Sequence, residues 1–338
     1  MTSTALVTGV AGQDGMYVAR LLRERGWSVV GTVRPGSTTL ETMRPYLGGV
    51  EVVEHDQRDT GGFVRLLTER KPATVVNLAG LSSVPGSWSA PAEVMETNAT
   101  AVVAMLDAIL RHRDATGLDP SFVQASSSSM FAPHPDGPIA EDAPHEPRTP
   151  YAVSKSAAHH AVGTYREEHG VRACSAILFG HESPFRARRF VAGRIVRLAV
   201  EVEAGRVAPG PGGSIVLGDL DAQRDWAAAA DVAEALVAMA EHEGPGDLVV
   251  ATGEGHTVGD LLAAAFAAVG RDDWRDHVDL RPELWSAGQP EVLVGDPSRA
   301  AEVLGWRART SFGDLVGQMV EVDRRRLATG VESSPAYL

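Results

Sequence analysis

The sequence predicts an α/β protein built on a doubly wound parallel sheet, followed by a smaller C-terminal α/β domain. Short runs rich in β-branched and apolar residues alternate with longer stretches whose apolar residues recur at helical spacing. The short runs are almost continuously apolar, as strands covered on both faces are. Strands that alternate with helices in this way are joined by right-handed crossovers and lie parallel in one sheet.

The predicted elements of the first half follow in order along the chain. Strands are expected at residues 5–8, 28–33, 50–53, 74–78, 121–125 and 173–178. Between them, helices are expected at residues 16–25, 61–70, 92–113 and 151–169. This order predicts a first domain over residues 1–178.

The pattern changes after residue 178. Arginines crowd residues 186–197, and a turn-rich proline and glycine run follows at 209–213. A helix at 231–243 and a strand at 248–252 are expected to return to the first sheet, so that residues 225–252 rejoin the first domain. Helices at 258–268 and 312–326 then belong to a second domain, formed by residues 179–224 and 253–338.

Length and composition agree with this class and argue against others. The chain has 338 residues, 44% of them hydrophobic and 22% charged, which suits about two globular domains. The net charge of −13 argues against nucleic acid or an anionic membrane as a partner, and no apolar run approaches the roughly 20 residues that span a bilayer. Cys174 is the only cysteine, as is typical of a reducing cytoplasm, and the 11 histidines show no metal-ligand spacing. We expect a cytoplasmic protein without a metal site.

A dinucleotide site is predicted where the first strand meets the first helix. Gly9, Gly12 and Gly15 form a G-x-x-G-x-x-G pattern there. Glycine permits a tight turn and close backbone approach, and the helix N-terminus offers N–H groups to a pyrophosphate. The pattern alone would also suit a plain glycine-rich turn, but its position between strand and helix favours a cofactor. The first domain is therefore predicted to be an NAD(P)-binding Rossmann domain.

The ends of the second and third strands bear on which dinucleotide is bound. Arg34 stands where an NAD-selective site usually presents an acid to the ribose 2′-hydroxyl. An arginine there favours a 2′-phosphate, and so NADP over NAD, although a single arginine in a turn is often simply solvated. Asp56, after the third strand, is expected at the adenine edge.

A catalytic group is predicted near the start of the helix at 151–169. Tyr151 and Lys155 are four residues apart and so share one face of that helix, and Pro150 marks its start. An ammonium beside a phenol stabilises phenolate, which can exchange a proton with a substrate hydroxyl. Ser127, at the end of the fifth strand, is placed to hydrogen-bond the same oxygen. The bare spacing also occurs in surface Tyr–Lys pairs, but the preceding glycine-rich turn favours catalysis.

Several longer stretches carry a family resemblance. They are T-G-V-A-G-Q-D-G at 8–15, N-L-A at 77–79, Q-A-S at 124–126, P-Y-A-V-S-K at 150–155, H-E-S-P at 181–184, L-G-D-L-D-A-Q-R-D-W at 217–226 and A-T-G-E at 251–254. Together they span nearly the whole chain and resemble the extended short-chain dehydrogenase/reductases, and within these the GDP-mannose 4,6-dehydratases. The resemblance implies a bound NADP or NAD, a GDP-sugar substrate, and a homodimer or homotetramer.

The resemblance also implies roles for individual positions. Ser127, Tyr151 and Lys155 match the catalytic residues. The cofactor site is expected to include the three glycines, Arg34 and Asp56 together with Gln13, Asp14, Leu78, Ala79, Tyr151 and Lys155. The residues expected to bind the nucleotide or the sugar are Ser82, Ser83, Ser128, Val191, Arg194, Arg224 and Glu291.

One departure from the resemblance bears on the reaction. Ser129 stands where the dehydratases have the glutamate that removes the C5 proton of the oxidised sugar. A serine is a very poor base at neutral pH, and a well-placed base contributes about 10²–10⁴-fold to rate. Phe131, Gly180 and Gly288 also replace a tyrosine, an asparagine and an arginine of the family. The sequence therefore predicts hydride transfer at C4 without elimination, most simply a 4-epimerisation through a transient 4-ketosugar.

Three alternatives remain open at this point. Dehydration would survive if His181 or Glu182 supplied the missing base. A reductase acting on a preformed 4-ketosugar would use the same residues. A non-catalytic sensor could also be built on this fold, because fold does not fix function.

Overall fold

The computed structural model describes residues 2–132, 137–210, 215–244, 246–281, 283 and 292–338. In this part of the chain the strands, in order, are β1 Thr4–Thr8, β2 Ser28–Val33, β3 Glu51–Glu54, β4 Thr74–Asn77, β5 Ser121–Ala125, β6 Ala173–Leu178, β7 Gly180–Glu182, β8 Ile215–Leu217, β9 Gln223–Ala228, β10 Leu248–Val250, β11 Gly255–Thr257, β12 Val278–Leu280 and β13 Val292–Leu293. The α-helices are α1 Gln13–Glu24, α2 Thr39–Met43, α3 Thr60–Arg70, α4 Pro91–Met95, α5 Ala101–Thr116, α6 Pro150–His169, α7 Val191–Glu203, α8 Ala229–Glu241, α9 Val258–Ala267, α10 Ser298–Leu304 and α11 Phe312–Thr329.

A seven-stranded parallel sheet forms the centre of the first domain. Its strand order is β10-β6-β5-β4-β1-β2-β3. The order runs outward in opposite directions from β1 and β4, so the topological switch point lies between these two strands. In such sheets ligands bind beyond the carboxyl ends of the strands at the switch point. The predicted doubly wound fold is confirmed.

The central strands are buried on both faces, which explains their unbroken apolar sequence. All of Ala5, Leu6 and Val7 in β1 are 0% exposed. The side chains of one face join a core with α1 and α8, and those of the other face join a core with α3, α5 and α6. Helices on both faces of a parallel sheet are what this strand pattern predicts.

The structure corrects the single helix predicted over residues 92–113. The region instead contains α4, a π-helical turn over Glu96–Thr100, and then α5. The π turn places Asn98 inside the protein, where it is 2% exposed. Its amide bonds both backbone groups of Leu81, with Nδ2 donating to the carbonyl oxygen at 3.0 Å and Oδ1 accepting from the N–H at 2.9 Å. Apolar periodicity continues through such a turn, so the sequence did not reveal it.

The second part of the chain packs around three helices that share one core. These helices, α7, α9 and α11, also pack against β8 and β9. In the second sheet β9 pairs with β7, β11 and β13, and a separate two-stranded sheet is formed by β8 and β12. The helix α7 was not predicted from the sequence.

The chain returns to the first sheet through α8 and β10, as predicted. The helix packs on α1, and β10 pairs with β6 at the sheet edge. Because β9 pairs within the second sheet, this return begins with α8. The domain boundaries drawn from the sequence stay a proposal.

Two further findings concern the described residues. No helix among them is long and apolar enough to cross a membrane. In the same part of the chain, no three His, Cys, Asp or Glu side chains are placed to hold a metal ion.

Candidate active site

The glycine-rich turn lies at the switch point of the sheet. Gly9 has a φ of +68°, which favours glycine, and a Cβ on it would lie 2.9 Å from the backbone of Ala79. Gly15 packs so closely on the carbonyl of Gly9 that a side chain would overlap it. Gly12 is the N-cap of α1 and places no side chain over the N-terminal N–H groups of the helix. Bare backbone and a helix N-terminus thus meet in one cleft, an arrangement that fits a pyrophosphate.

A buried chain of hydrogen bonds joins the carboxyl ends of β1, β4 and β5. Thr8 Oγ1 donates to Asn77 Oδ1 at 2.5 Å, and Asn77 Nδ2 donates to Gln124 Oε1 at 2.8 Å. Gln124 Nε2 in turn donates to the carbonyl oxygen of Ala125 at 2.8 Å. The three side chains are at most 1% exposed. This chain fixes the strand ends that form the floor of the cleft.

Ser127, Tyr151 and Lys155 come together where β5 meets the first turns of α6. Each of the three is 8% exposed. Ser127 Oγ accepts from the N–H of Ser129 at 3.2 Å, which leaves its hydroxyl hydrogen for the bond with Tyr151. Lys155 Nζ donates to the carbonyl oxygen of Ala125 at 2.8 Å and lies 5.9 Å from the centre of the Tyr151 ring. The catalytic group predicted from spacing is therefore assembled in three dimensions.

The surroundings of the phenol and the ammonium shift both of their pKa values. Burial raises the pKa of Tyr151, while the hydrogen bond from Ser127 and the guanidinium of Arg186 act in the opposite direction. Burial lowers the pKa of Lys155 to about 8. Proton exchange at the tyrosine oxygen thus depends on polar neighbours that offset its burial.

The structure holds His181 between a backbone carbonyl and a carboxylate. Its Nδ1 lies 2.7 Å from the carbonyl oxygen of Phe179, to which it can only donate, and its Nε2 lies 3.0 Å from Asp14 Oδ1. Burial opposes the charged form, but the Asp14 carboxylate outweighs it and raises the pKa of His181. The contact of Nδ1 with a carbonyl oxygen and the nearby carboxylate both favour the protonated ring over the form that could accept a proton.

Glu182 is held in a buried ion pair. Its carboxylate oxygen lies 3.1 Å from Arg186 Nε, and the residue is 5% exposed. Burial raises the pKa of Glu182, and the neighbouring Arg186 acts against that rise. Arg186 also stacks on Phe190, with 3.7 Å from its guanidinium carbon to the ring centre. The side chain of Arg186 is only 25% exposed.

The first turns of α1 hold the segment over residues 181–186, here called the active-site turn. Gln13 Oε1 accepts from Ser183 Oγ at 2.7 Å, and Gln13 Nε2 donates to the carbonyl oxygen of His181 at 3.3 Å. Asp14 pairs with His181 as described above. The side chains of Gln13 and Asp14, both expected in the cofactor site, therefore bind the active-site turn, while their backbone stays at the glycine-rich turn. The Q-D motif at 13–14 and the H-E-S-P motif at 181–184 lie far apart in the sequence. Neither motif indicated that the two are in contact.

The residues predicted to select the dinucleotide lie at the ends of their strands. Arg34 directly follows β2 and is exposed. Asp56 follows β3 and pairs with Arg58, whose Nη2 lies 2.6 Å from Asp56 Oδ2. The hydrogen bonds from Arg58 hold the pKa of Asp56 at about 2. Both residues are at the carboxyl edge of the sheet, which is where a dinucleotide bound at the switch point would lie.

The residues expected to contact the sugar lie in two loops. Ser82 and Ser83 belong to the loop after β4, which Asn98 holds through Leu81. Ser128 begins the short 3-10 turn Ser128–Met130 that follows Ser127. The structure thus brings Ser128 beside the catalytic group.

The residues expected to hold the guanosine diphosphate lie in the second part of the chain. Val191 is the first residue of α7, and Arg194 on the same helix donates through Nη2 to the carbonyl oxygen of Val216 at 3.2 Å. Arg224 lies on β9, beside the strand that carries the start of the active-site turn, and burial lowers its pKa. Glu291 lies outside the described residues, as does Gly288.

The sequence matches the protein family described as GDP-mannose 4,6 dehydratase over residues 6–319. GDP-mannose 4,6 dehydratase 1 of Arabidopsis thaliana is 39% identical over 331 residues, which cover 94% of this chain and 89% of the relative. The human GDP-mannose 4,6 dehydratase is 30% identical over 354 residues, covering 97% and 93%.

Solved structures of nucleotide-sugar enzymes share the fold. UDP-glucose 4-epimerase of Thermus thermophilus, solved as a complex with NAD, has a TM-score of 0.79 at 28% identity, covering 95% of this chain and 99% of that one. UDP-glucose 4-epimerase of Thermotoga maritima has a TM-score of 0.83 at 22% identity, covering 96% and 99%. Together, the sequence matches and the assembled site show that the chain belongs to the GDP-mannose 4,6-dehydratase family of enzymes.

Proposed function

We propose that the protein is an NAD(P)-dependent GDP-sugar 4-epimerase that works through a transient 4-ketosugar without net elimination. The observation that supports this most directly is Ser129. It lies in the turn directly after Ser127, where the resemblance places the glutamate that a dehydratase uses as its C5 base. The catalytic Ser127, Tyr151 and Lys155 are retained beside it.

The contacts of the neighbouring groups argue against a replacement base. His181, the first alternative, donates from Nδ1 to a carbonyl oxygen and faces the Asp14 carboxylate with Nε2. Glu182, the second, is paired with Arg186 within a buried site. Freeing either group would leave a buried charge without its partner, which is strongly unfavourable.

The roles of the chain's own residues follow from their contacts. A bound nicotinamide would supply the hydride acceptor and donor at C4. Tyr151 would take the proton of the C4 hydroxyl as the ketone forms and return it when the alcohol is re-formed. Ser127 would donate to the same oxygen, and the Lys155 ammonium would favour the phenolate form. For the epimer to form, the ketone must present its opposite face before hydride returns.

A nicotinamide dinucleotide is supported by the glycine-rich turn and by the Thermus thermophilus relative solved with NAD. We propose NADP as the preferred form. The exposed Arg34 at the end of β2 supports this, because a guanidinium can pair with a ribose 2′-phosphate.

Dehydration of GDP-mannose is the second candidate. The family match and the Arabidopsis thaliana relative at 39% identity favour it. It requires a base at C5 that is not Ser129.

An isotope experiment separates the two reactions. The protein is incubated with NADP or NAD and GDP-mannose carrying deuterium at C4, and the product is analysed by mass spectrometry and NMR. Epimerisation leaves the mass unchanged and keeps the deuterium at C4. Dehydration lowers the mass by one water and moves the deuterium to C6, which would replace the epimerase proposal by the dehydratase. A Tyr151→Phe protein serves as the negative control, because it should form neither product.

A further inference from the structure

The C-terminal segment over residues 331–338, here called the strap, meets the active-site turn through Arg326. Arg326 lies on α11, and its side chain is 11% exposed. Its Nη1 donates to the carbonyl oxygen of Pro184 at 2.7 Å and pairs with Asp323 Oδ1 at 2.9 Å. Its Nε donates to the carbonyl oxygen of Glu332 at 3.0 Å. One buried guanidinium therefore binds the strap and the active-site turn at once.

The strap is fastened at several other points. The ring of Tyr337, which is 8% exposed, lies 5.6 Å from the Arg326 guanidinium, and its hydroxyl donates to the carbonyl oxygen of Val331 at 2.8 Å. Glu332 pairs with Arg188 at 2.9 Å, just beyond the active-site turn. These contacts give the strap a defined path over the end of α11.

The strap also reaches the first domain. The N–H of Ser334 donates to the hydroxyl of Tyr46 at 2.9 Å. The ring of Tyr46 meets Phe185 of the active-site turn edge-on at 4.7 Å, and Tyr17 of α1 meets the same ring at 5.8 Å. Phe185 is therefore enclosed between the first domain and Arg326, whose guanidinium lies 5.9 Å away.

What the strap holds is connected to the catalytic site. The active-site turn contributes Ser183 and His181 to the bonds with Gln13 and Asp14 at the start of α1. It also contributes Arg186, whose charge acts on Tyr151. A shift of this turn would therefore move groups at the glycine-rich turn and at the catalytic tyrosine together.

We propose that Arg326 and the strap are positioning elements that hold the active-site turn for cofactor binding and turnover. The inference rests on the proposed function only in taking this cleft as the catalytic site, and it holds for either reaction at C4. We therefore expect the strap to affect the site without being needed for the fold. The strap packs against the outside of both domains.

The test is truncation after Gly330, with rescue by the missing peptide. Full-length and truncated proteins are compared in melting temperature, in NADPH affinity by fluorescence, and in kcat and KM for GDP-mannose. We expect the truncated protein to stay folded and to lose about 10-fold or more in NADPH affinity or kcat, since a misplacement of about 1 Å can cost 10²-fold. Adding the free peptide of residues 331–338 should restore most of the loss, and the peptide with Tyr337→Ala should not.

A second variant tests the junction itself. Arg326→Gln should reproduce the effect of truncation, and the free peptide should not rescue it. Arg307→Gln, at an exposed arginine, is the matched control.

The inference is wrong if the truncated protein keeps the NADPH affinity and kcat of the full chain. It is also wrong if truncation unfolds the protein and the peptide restores nothing, because the strap would then be a general part of the fold. If the full-length protein turns over no GDP-mannose, the proposed substrate has failed. The NADPH affinities and their rescue still decide the role of the strap.

Discussion

At the scale of single residues, the site depends on how a buried phenol is made reactive. Tyr151 is almost completely enclosed, and burial by itself favours its neutral form. Ser127 and Arg186 act against this by stabilising the phenolate. The ammonium of Lys155, whose pKa burial lowers to about 8, remains mostly charged at neutral pH. The net effect of these surroundings is still a raised pKa for Tyr151, because burial outweighs the two stabilising neighbours.

Removing the phenolic hydroxyl should remove the reaction while leaving the fold intact. We expect Tyr151→Phe to lower kcat by about 10²–10⁴-fold, the usual contribution of a placed acid–base group. NADPH affinity and melting temperature should change little, because the ring and its packing remain. Tyr165→Phe on the same helix is the control, since Tyr165 packs by His169, away from the site. Full turnover by the variant would show that the Tyr151 hydroxyl is not the acid–base group.

Restoring a carboxylate at position 129 should restore elimination. Ser129 is half-buried in the turn after Ser127, at the position where the resemblance places the base of the dehydratases. We expect Ser129→Glu to form a product lighter by one water from GDP-mannose, at a rate about 10²-fold or more above that of the parent. Ser129→Gln has the same shape without the base and should form none. Equal water loss in both variants would contradict this reasoning.

The sequence predicted how the candidate catalytic residues come together better than it predicted the contacts that support them. Tyr151 and Lys155 are close in sequence, so helical spacing alone placed them together. The contacts of Gln13 with Ser183 and of Arg326 with Pro184 join positions far apart in the chain. Local patterns carry no information about such pairs, and the sequence analysis missed them for that reason.

At the scale of elements, strands covered on both faces were predicted well. The six predicted strands of the first domain occur within a residue or two of their expected ends, because continuous apolar runs leave few alternatives. The strands β7, β8, β11, β12 and β13 have two or three residues each, too few to show a period, and were not predicted. The π turn before α5 was missed because it interrupts the hydrogen bonds without interrupting the apolar pattern.

The turn between β1 and α1 should tolerate no side chain at Gly9. A Cβ there meets the backbone of Ala79 at 2.9 Å, and the φ of +68° adds strain of about 1–2 kcal/mol for any other residue. We expect Gly9→Ala to lower NADPH affinity by more than 10-fold and to lower the melting temperature. Gly26→Ala is the matched control, because Gly26 has a φ of +84° and nothing within 4 Å of its Cβ position.

The control separates two effects at Gly9, which are the close contact with the backbone of Ala79 and the strain of a positive φ. Gly26→Ala should lower the melting temperature through strain alone and leave NADPH affinity unchanged. Equal losses of affinity in the two variants would show that strain, not the approach to β4, explains the requirement for glycine.

At the scale of the whole molecule, a cluster of histidines connects the active-site side of the sheet to α6. His145 pairs with Phe131 across a β-bridge, and its Nδ1 lies 2.9 Å from Ser156 Oγ. Its ring lies 5.1 Å from that of His159 and 4.8 Å from that of His160. His159 also lies 3.8 Å from Asp247, which is paired with Arg166, so the cluster bridges α6 and the loop before β10.

This cluster should lower the stability of the fold already at a pH above that at which carboxylates take up protons. Burial and the two neighbouring histidines lower the pKa of His145 from 6.5 to about 4, so the unfolded chain binds a proton at higher pH than the folded chain does. The free energy of unfolding should therefore fall as the pH is lowered from 6.5 toward 4. His145→Gln keeps a partner for Ser156 and should flatten the decline, measured by urea unfolding at each pH. The control is His169→Gln, because His169 is exposed at the C-terminal end of α6. A slope unchanged by His145→Gln, or flattened equally by both variants, would show that the acid sensitivity arises elsewhere.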